Sequence, residues 1–283
     1  MRTPGRAGGS GSRTLSPTGI QDLSWSLAFL GAHAVPGIET WDGARYVRSV
    51  RVDAEPVPVA LRADSGRLLV EAPARADVVV RDLLGLDDDS GPAERALAAD
   101  PLLGPLLTLR PGLRVPGSPD HAETLVRTVI GQQVSLAAAA TVTGRLVAAH
   151  GRLLDSPLPG GPTHTFPTPS ELAIVDPDTL PMPRARARTV VTVAAALADD
   201  PELVHDPVAL LALPGIGPWT VGYLRLRASR DPDVFLPTDL AVRRQVARLG
   251  GPDTPASVAA LASSWAPFRT TALLALWAAY LVA

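Results

Sequence analysis

The sequence predicts an α+β fold: a small N-terminal antiparallel-sheet domain followed by an all-α region. Arg45–Val52, Val57–Arg62 and Arg67–Glu71 are short, β-rich and separated by Pro, Asp-Ser-Gly and similar turn chemistry. From about Asp120 onward the apolar residues recur at helical spacing, and the runs are punctuated by Pro, Gly and Asp. No internal repeat is visible, and 283 residues is enough chain for roughly two domains.

Each element follows in turn. The first seventeen residues, MRTPGRAGGSGSRTLSP, carry no apolar period and are expected to form a flexible tail. They also lack the apolar stretch of a signal peptide. Ile20–Gly31 reads as a short helix, and Ala74–Gly85 returns to helical spacing after the strands. Asp120–His150 has the spacing of a long buried helix pair, interrupted near Gly131. Asp155–Pro169, rich in Pro and Gly, is expected to be a surface loop. Short helices are then predicted over Ser170–Val175, Arg184–Asp199, Pro207–Leu213, Thr220–Ala228, Leu240–Gly250, Pro255–Ser264 and Thr270–Leu281, several opening on a capping residue.

Composition narrows the chemistry. With 46% hydrophobic and 19% charged residues the chain can bury a sizeable core. It has no Cys, which excludes disulfides, thiol nucleophiles, cysteine zinc sites and iron–sulfur clusters. It has no Lys either, all 26 basic residues being Arg, so no side chain can form a Schiff base. The five His residues show no paired spacing of a metal site, and neither a metal nor a cofactor is expected. The longest nearly apolar run, Thr271–Ala283, falls short of the ~20 residues that span a bilayer. A cytoplasmic protein without membrane contact is expected. The net charge of −2 counts mildly against nucleic acid as a partner. A small basic cleft and backbone N–H groups can nevertheless hold phosphates on an acidic protein.

The most informative stretch is Leu211-Ala-Leu-Pro-Gly-Ile-Gly-Pro-Trp-Thr-Val-Gly-Tyr-Leu224. A helix ends near Leu213, a tight Pro214-Gly215-Ile216-Gly217 turn follows, and a second helix begins around Pro218. Such a turn leaves unpaired N–H groups at the positive end of a helix, which suits a phosphate oxygen without regard to sequence. A plain helix-to-helix connection has the same pattern. Downstream lies Asp233-Val-Phe-Leu-Pro-Thr-Asp-Leu-Ala-Val-Arg-Arg244, in which Asp239 is either a helix N-cap or a carboxylate facing a cleft. If Thr238 does the capping, Asp239 is left free.

With Leu213, Trp219, Thr220 and Tyr223 around it, the turn resembles the hairpin of the helix-hairpin-helix base-excision DNA glycosylases, in their alkylpurine branch (the 3-methyladenine DNA glycosylase II type). The resemblance continues through Phe29–Glu39 with Tyr46–Ser49, Arg110–Gly117, Ile130-Gly-Gln-Gln-Val-Ser135, Trp265-Ala-Pro-Phe-Arg269 and Leu276-Trp277, in order from about residue 20 to the end. It implies a sheet domain over 18–88, a helical lobe with the hairpin over 118–231, and a second lobe from 89–117 and 232–283 carrying the catalytic carboxylate.

The implied activity is monofunctional excision of alkylated, cationic purines from double-stranded DNA, by base flipping and hydrolysis of the N-glycosidic bond. The family places its catalytic carboxylate at the position of Asp239. Trp219, Tyr223 and Trp277 match its base pocket, where an aromatic face attracts a cation by ~0.5–2 kcal/mol; packed core is the other reading of these rings. Gln133, with Gln132 beside it, matches the plug that fills the gap in the duplex, or is an exposed polar residue at a helix bend. Leu213, Pro214, Gly215, Ile216, Gly217 and Thr220 form the phosphate-binding hairpin. A monovalent cation there is a candidate bridge to phosphate. Arg243, Arg244 and Arg269 are candidate DNA contacts, Arg269 alternatively reaching the Asp239 region; surface arginines are otherwise simply solvated. Bifunctional relatives carry a Lys in the hairpin where this chain has Trp219. A monomer is expected. A non-catalytic DNA-binding protein and a glycosylase for mismatched or oxidised bases are the alternatives.

Overall fold

The computed structural model describes residues 12–282. Two tight reversals organise the sheet. Asp53-Ala54 and Ser65-Gly66 all have positive φ, the two-residue turn that matches strand twist, and each closes a hairpin. They join β3 (Arg45–Val52), β4 (Glu55–Asp64) and β5 (Arg67–Glu71). Two further strands, β1 (Ser12–Leu15) and β2 (Glu39–Trp41), complete an antiparallel sheet of order β1-β5-β4-β3-β2. The flexible-tail expectation is therefore corrected for Ser12–Leu15. Arg13 is fastened to the Asp77 carboxylate and to the Ala72 and Pro73 carbonyls, which docks β1 against β5. Residues 1–11 of the expected tail lie outside the described residues. Helices α1 (Leu23–Ala32) and α2 (Asp77–Leu84) share a core with the sheet; Asp22 caps α1, and Gly85, at φ +61°, ends α2.

The rest is helical: α3 (Gly91–Leu97), α4 (Leu103–Leu109), α5 (His121–Ile130), α6 (Leu136–His150), α7 (Pro169–Ala173), α8 (Arg184–Asp199), α9 (Pro207–Ala212), α10 (Pro218–Ala228), α11 (Leu240–Arg248), α12 (Pro255–Ala262) and α13 (Arg269–Val282). Apolar faces of α5, α8, α9 and α10 form one core, while α3, α4, α11, α12 and α13 build another. Helix α10 contributes to both, through Val221 and Leu224 to the first and Leu226 to the second. Trp219, Tyr223 and Arg227, four residues apart on α10, line the space between them.

Two expectations need revision. Helix α6 is not buried like α5: Leu136 is 50% exposed, and only Thr143, Leu146 and Val147 are fully covered, because its first turns wall a cavity. The Asp155–Pro169 stretch is not wholly a surface loop. Its far end docks on the sheet domain, with Thr165 and Phe166 buried and the Thr163 and His164 N–H groups both donating to the Gly37 carbonyl at 2.9 Å. Among the described residues no helix is long and apolar enough to cross a membrane.

A buried charge network joins the sheet to α5. Glu39 sits opposite Arg48 in the β2–β3 register and accepts from Arg48 at 3.3 Å, from Arg127 at 3.0 Å and from the Tyr46 hydroxyl at 2.5 Å. Arg48 and Arg127 also reach Glu123 on α5, at 3.0 and 2.7 Å. Burial alone would raise the Glu39 pKa; the Arg127 and Arg48 charges outweigh it and hold the carboxyl at about 2.

Candidate active site

Between the two helical cores and the sheet domain lies a cavity of about 380 Å³. Asp239, Trp219, Tyr223, Trp277, Phe29 and His33 all line it. Asp239 is the N-cap of α11, its Oδ1 accepting from the Val242 N–H at 3.1 Å. Thr238 does not take that role, contrary to one branch of the sequence reading. The carboxylate performs both tasks, because its two oxygens offer about four acceptor sites. The Trp277 indole N–H donates to Oδ1 and the Trp219 indole N–H to Oδ2, each at 3.3 Å. One carboxylate is thereby fixed by a helix amide and two indoles at the edge of an aromatic chamber.

The rings also serve twice. Trp219 and Tyr223 stack with centroids 5.2 Å apart and planes 8° from parallel, and both pack partly against the core shared by α11 and α13. Trp277, only 8% exposed, lies 6.4 Å from Tyr223 and 6.4 Å from Phe29. Core and pocket are two sides of the same residues.

The hairpin lies at the start of α10. Gly217 caps that helix without a side chain, so no side chain takes the helix's first amides, and a Cβ there would meet nothing within 4 Å. Gly215 sits at φ +84°, and a Cβ on it would lie 2.4 Å from the Thr189 hydroxyl on α8. Gly215→Ala should therefore cost about 1–3 kcal/mol through strained backbone. The expected result is a lower melting temperature, read by calorimetry. Gln132 donates to the Gly215 carbonyl at 3.0 Å and to the Thr220 hydroxyl at 3.2 Å, while Arg186 donates to the Gln132 carbonyl at 2.6 Å. Gln132 is thus tied to the hairpin, whereas Gln133 is exposed, in the left-handed region at φ +57°.

Residues 126–268 match the family described as HhH-GPD superfamily base excision DNA repair protein, and residues 20–120 match the AlkA N-terminal domain. The chain belongs to this superfamily. A protein of Escherichia coli (strain K12) named DNA-3-methyladenine glycosylase 2 is 35% identical over 90% of this chain and 93% of its own length. One of Mycobacterium tuberculosis (strain H37Rv), named probable bifunctional transcriptional activator/DNA repair enzyme AlkA, is 40% identical over 88% of the chain, which spans 53% of that relative's length. A solved 3-methyladenine DNA glycosylase from Archaeoglobus fulgidus shares the fold, with a TM-score of 0.81 at 22% identity over 95% of this chain and 98% of that one.

On this HhH-GPD framework other candidate positions fall differently. Ile216 turns its side chain into the core, 7% exposed, and Thr220 is buried against Gln132, so only their backbones are available at the hairpin surface. Arg269 forms a two-pronged ion pair with Asp233, at 2.7 and 2.6 Å, and does not reach Asp239. Arg243 donates to the Asp253 carbonyl, and Arg244 to the Tyr280 hydroxyl. Sequence reasoning missed Phe29, His33 and Arg227 as cavity residues. Their signal was present: Phe29 and His33 are four apart, and Arg227 continues the Trp219–Tyr223 stripe.

Proposed function

We propose that this chain is a monofunctional DNA glycosylase that takes alkylated, cationic purines from double-stranded DNA into the aromatic cavity and hydrolyses the N-glycosidic bond. The observation that carries this reading is Asp239, held by two indole N–H donors at the edge of that cavity. A group inside a duplex cannot be reached, so the nucleotide must rotate out of the stack. The amides of the hairpin take the backbone phosphate, and exposed Gln133 fills the gap left behind. Trp219, Tyr223 and Trp277 receive the base through their faces, which favour a positive purine. Positive charge develops on the sugar as the bond breaks, and the Asp239 carboxylate stabilises it and orients the attacking water. An alkylated cationic base leaves without a general acid.

A monovalent cation at the hairpin belongs to the same reading. The Leu213 and Gly215 carbonyls each accept one hydrogen bond and keep a second lone pair for a hard cation, which would supply positive charge beside the phosphate. Every group named lies on one polypeptide, so the reaction needs no second copy of the chain. Strand cleavage through an imine has no side-chain amine to start it.

The test is incubation with methylated duplex DNA, scoring free bases and strand breaks separately. Released methylpurines with intact abasic strands, and no borohydride-trapped complex, are expected. Tight binding to the duplex without base release would replace the enzyme by a DNA-binding protein.

A further inference from the structure

His33 lies at the end of the ring path that starts at Asp239. Trp277 bonds Asp239, Phe29 lies 6.4 Å from Trp277, and the His33 imidazole lies 4.4 Å from Phe29 at a 31° tilt. Its Nδ1 is 2.7 Å from the Phe29 carbonyl. A carbonyl only accepts, so Nδ1 must carry the proton. In a neutral ring Nε2 is then a bare acceptor. No protein group among the described residues bonds Nε2, and the ring that carries it lines the cavity.

We infer that His33 determines specificity in this cavity: its Nε2 accepts a hydrogen bond from an N–H group on the edge of the flipped base remote from the sugar. The inference rests on the glycosylase reading above, which places the sugar at Asp239. A base entering from that end presents its amino or ring N–H edge toward His33. A lesion whose edge carries no N–H leaves that acceptor unpaired inside the cavity, which is the way a buried polar group rejects an analogue.

The surroundings keep the ring in the accepting form. Burial drives the His33 pKa down to about 4, and the Arg227 charge on α10 and the Arg127 charge on α5 add to this. The Phe29 carbonyl and Glu39 on β2 oppose it without prevailing. A protonated His33 would place a second cation beside Arg227, facing a cationic base. Arg227 itself is committed to the Tyr223 hydroxyl at 2.7 Å and the Gly117 carbonyl at 2.8 Å, so it does not compete for the base edge.

The test is single-turnover release of 3-methyladenine, which carries an amino group, and of 1,N6-ethenoadenine, which has no N–H. Each variant is compared with wild type on the same substrate, so intrinsic lability cancels. His33→Phe should lose about tenfold on 3-methyladenine and less than twofold on any ethenoadenine release. His33→Gln, which restores a carbonyl acceptor, should recover most of the loss. Wild-type 3-methyladenine release in His33→Phe, an equal loss on both lesions, or no recovery in His33→Gln would each overturn the inference. Nitrogen-15 NMR of the His33 ring reads the tautomer without turnover. A proton on Nε2 at pH 7 would overturn it as well. If wild type releases no 3-methyladenine, the glycosylase reading fails first, and the inference falls with it.

Discussion

Asp239→Asn is expected to reduce single-turnover methylpurine release by a hundred- to a thousandfold, with binding to damaged duplex retained. Asn presents an oxygen that still caps α11 through the Val242 N–H, so the helix keeps its start. What disappears is the negative charge that the proposed reaction sets against the sugar, worth about 3–4 kcal/mol to a charge-developing transition state. A second, smaller cost follows from counting acceptors. Asp239 takes the Val242 amide and two indole N–H groups on two oxygens. Asn has one acceptor oxygen, so one indole loses its partner, at roughly 1–2 kcal/mol of stability. A modest fall in melting temperature with near-complete loss of release is the expected signature. Loss of release in proportion to loss of folded protein would instead make Asp239 a cap alone.

Local chemistry made much of this molecule legible. The strands declared themselves through turn residues at Asp53-Ala54 and Ser65-Gly66, where the chain reverses within two residues. The hairpin declared itself through Gly215, which needs positive φ, and through Gly217 and Pro218 at the start of the next helix. What stayed hidden depends on distant partners. β1 exists because Arg13 finds Asp77, sixty-four residues away, and nothing in its Gly- and Ser-rich surroundings announces that. The Asp155–Pro169 stretch has loop composition, yet the Gly37 carbonyl and the sheet give its end somewhere to dock. Asp239 was readable as cap or carboxylate; that it is both required the positions of Trp219 and Trp277, which sequence spacing does not supply.

The second large effect should come from the charge network behind the cavity. Glu39→Ala is expected to destabilise the fold by about 3–5 kcal/mol, because it leaves Arg48 and Arg127 buried with one carboxylate, Glu123, between them. The loss also frees the Tyr46 hydroxyl and the Val35 amide that Glu39 now accepts from. Acid titration of the wild type should reveal two groups in sequence. The pKa of His33 is lowered from 6.5 to about 4, so the folded state holds fewer protons than the unfolded chain in that interval. Its contribution is complete above 6.5 and is lost as the pH falls through the interval toward 4. Glu39 is lowered from 4.5 to about 2, so its contribution is complete above 4.5 and is lost between 4.5 and 2. Urea midpoints measured from pH 7 to pH 3 should therefore fall in two stages. His33→Phe should shrink the first, to which His121, also held below the usual histidine range by burial, contributes as well, and Glu39→Gln should shrink the second. A Glu39→Gln protein as stable as wild type at pH 7 would mean that desolvation cancels the attraction in this network. Its role would then be to align the sheet with α5, and the measurable consequence would move to a raised KM for the cavity it backs.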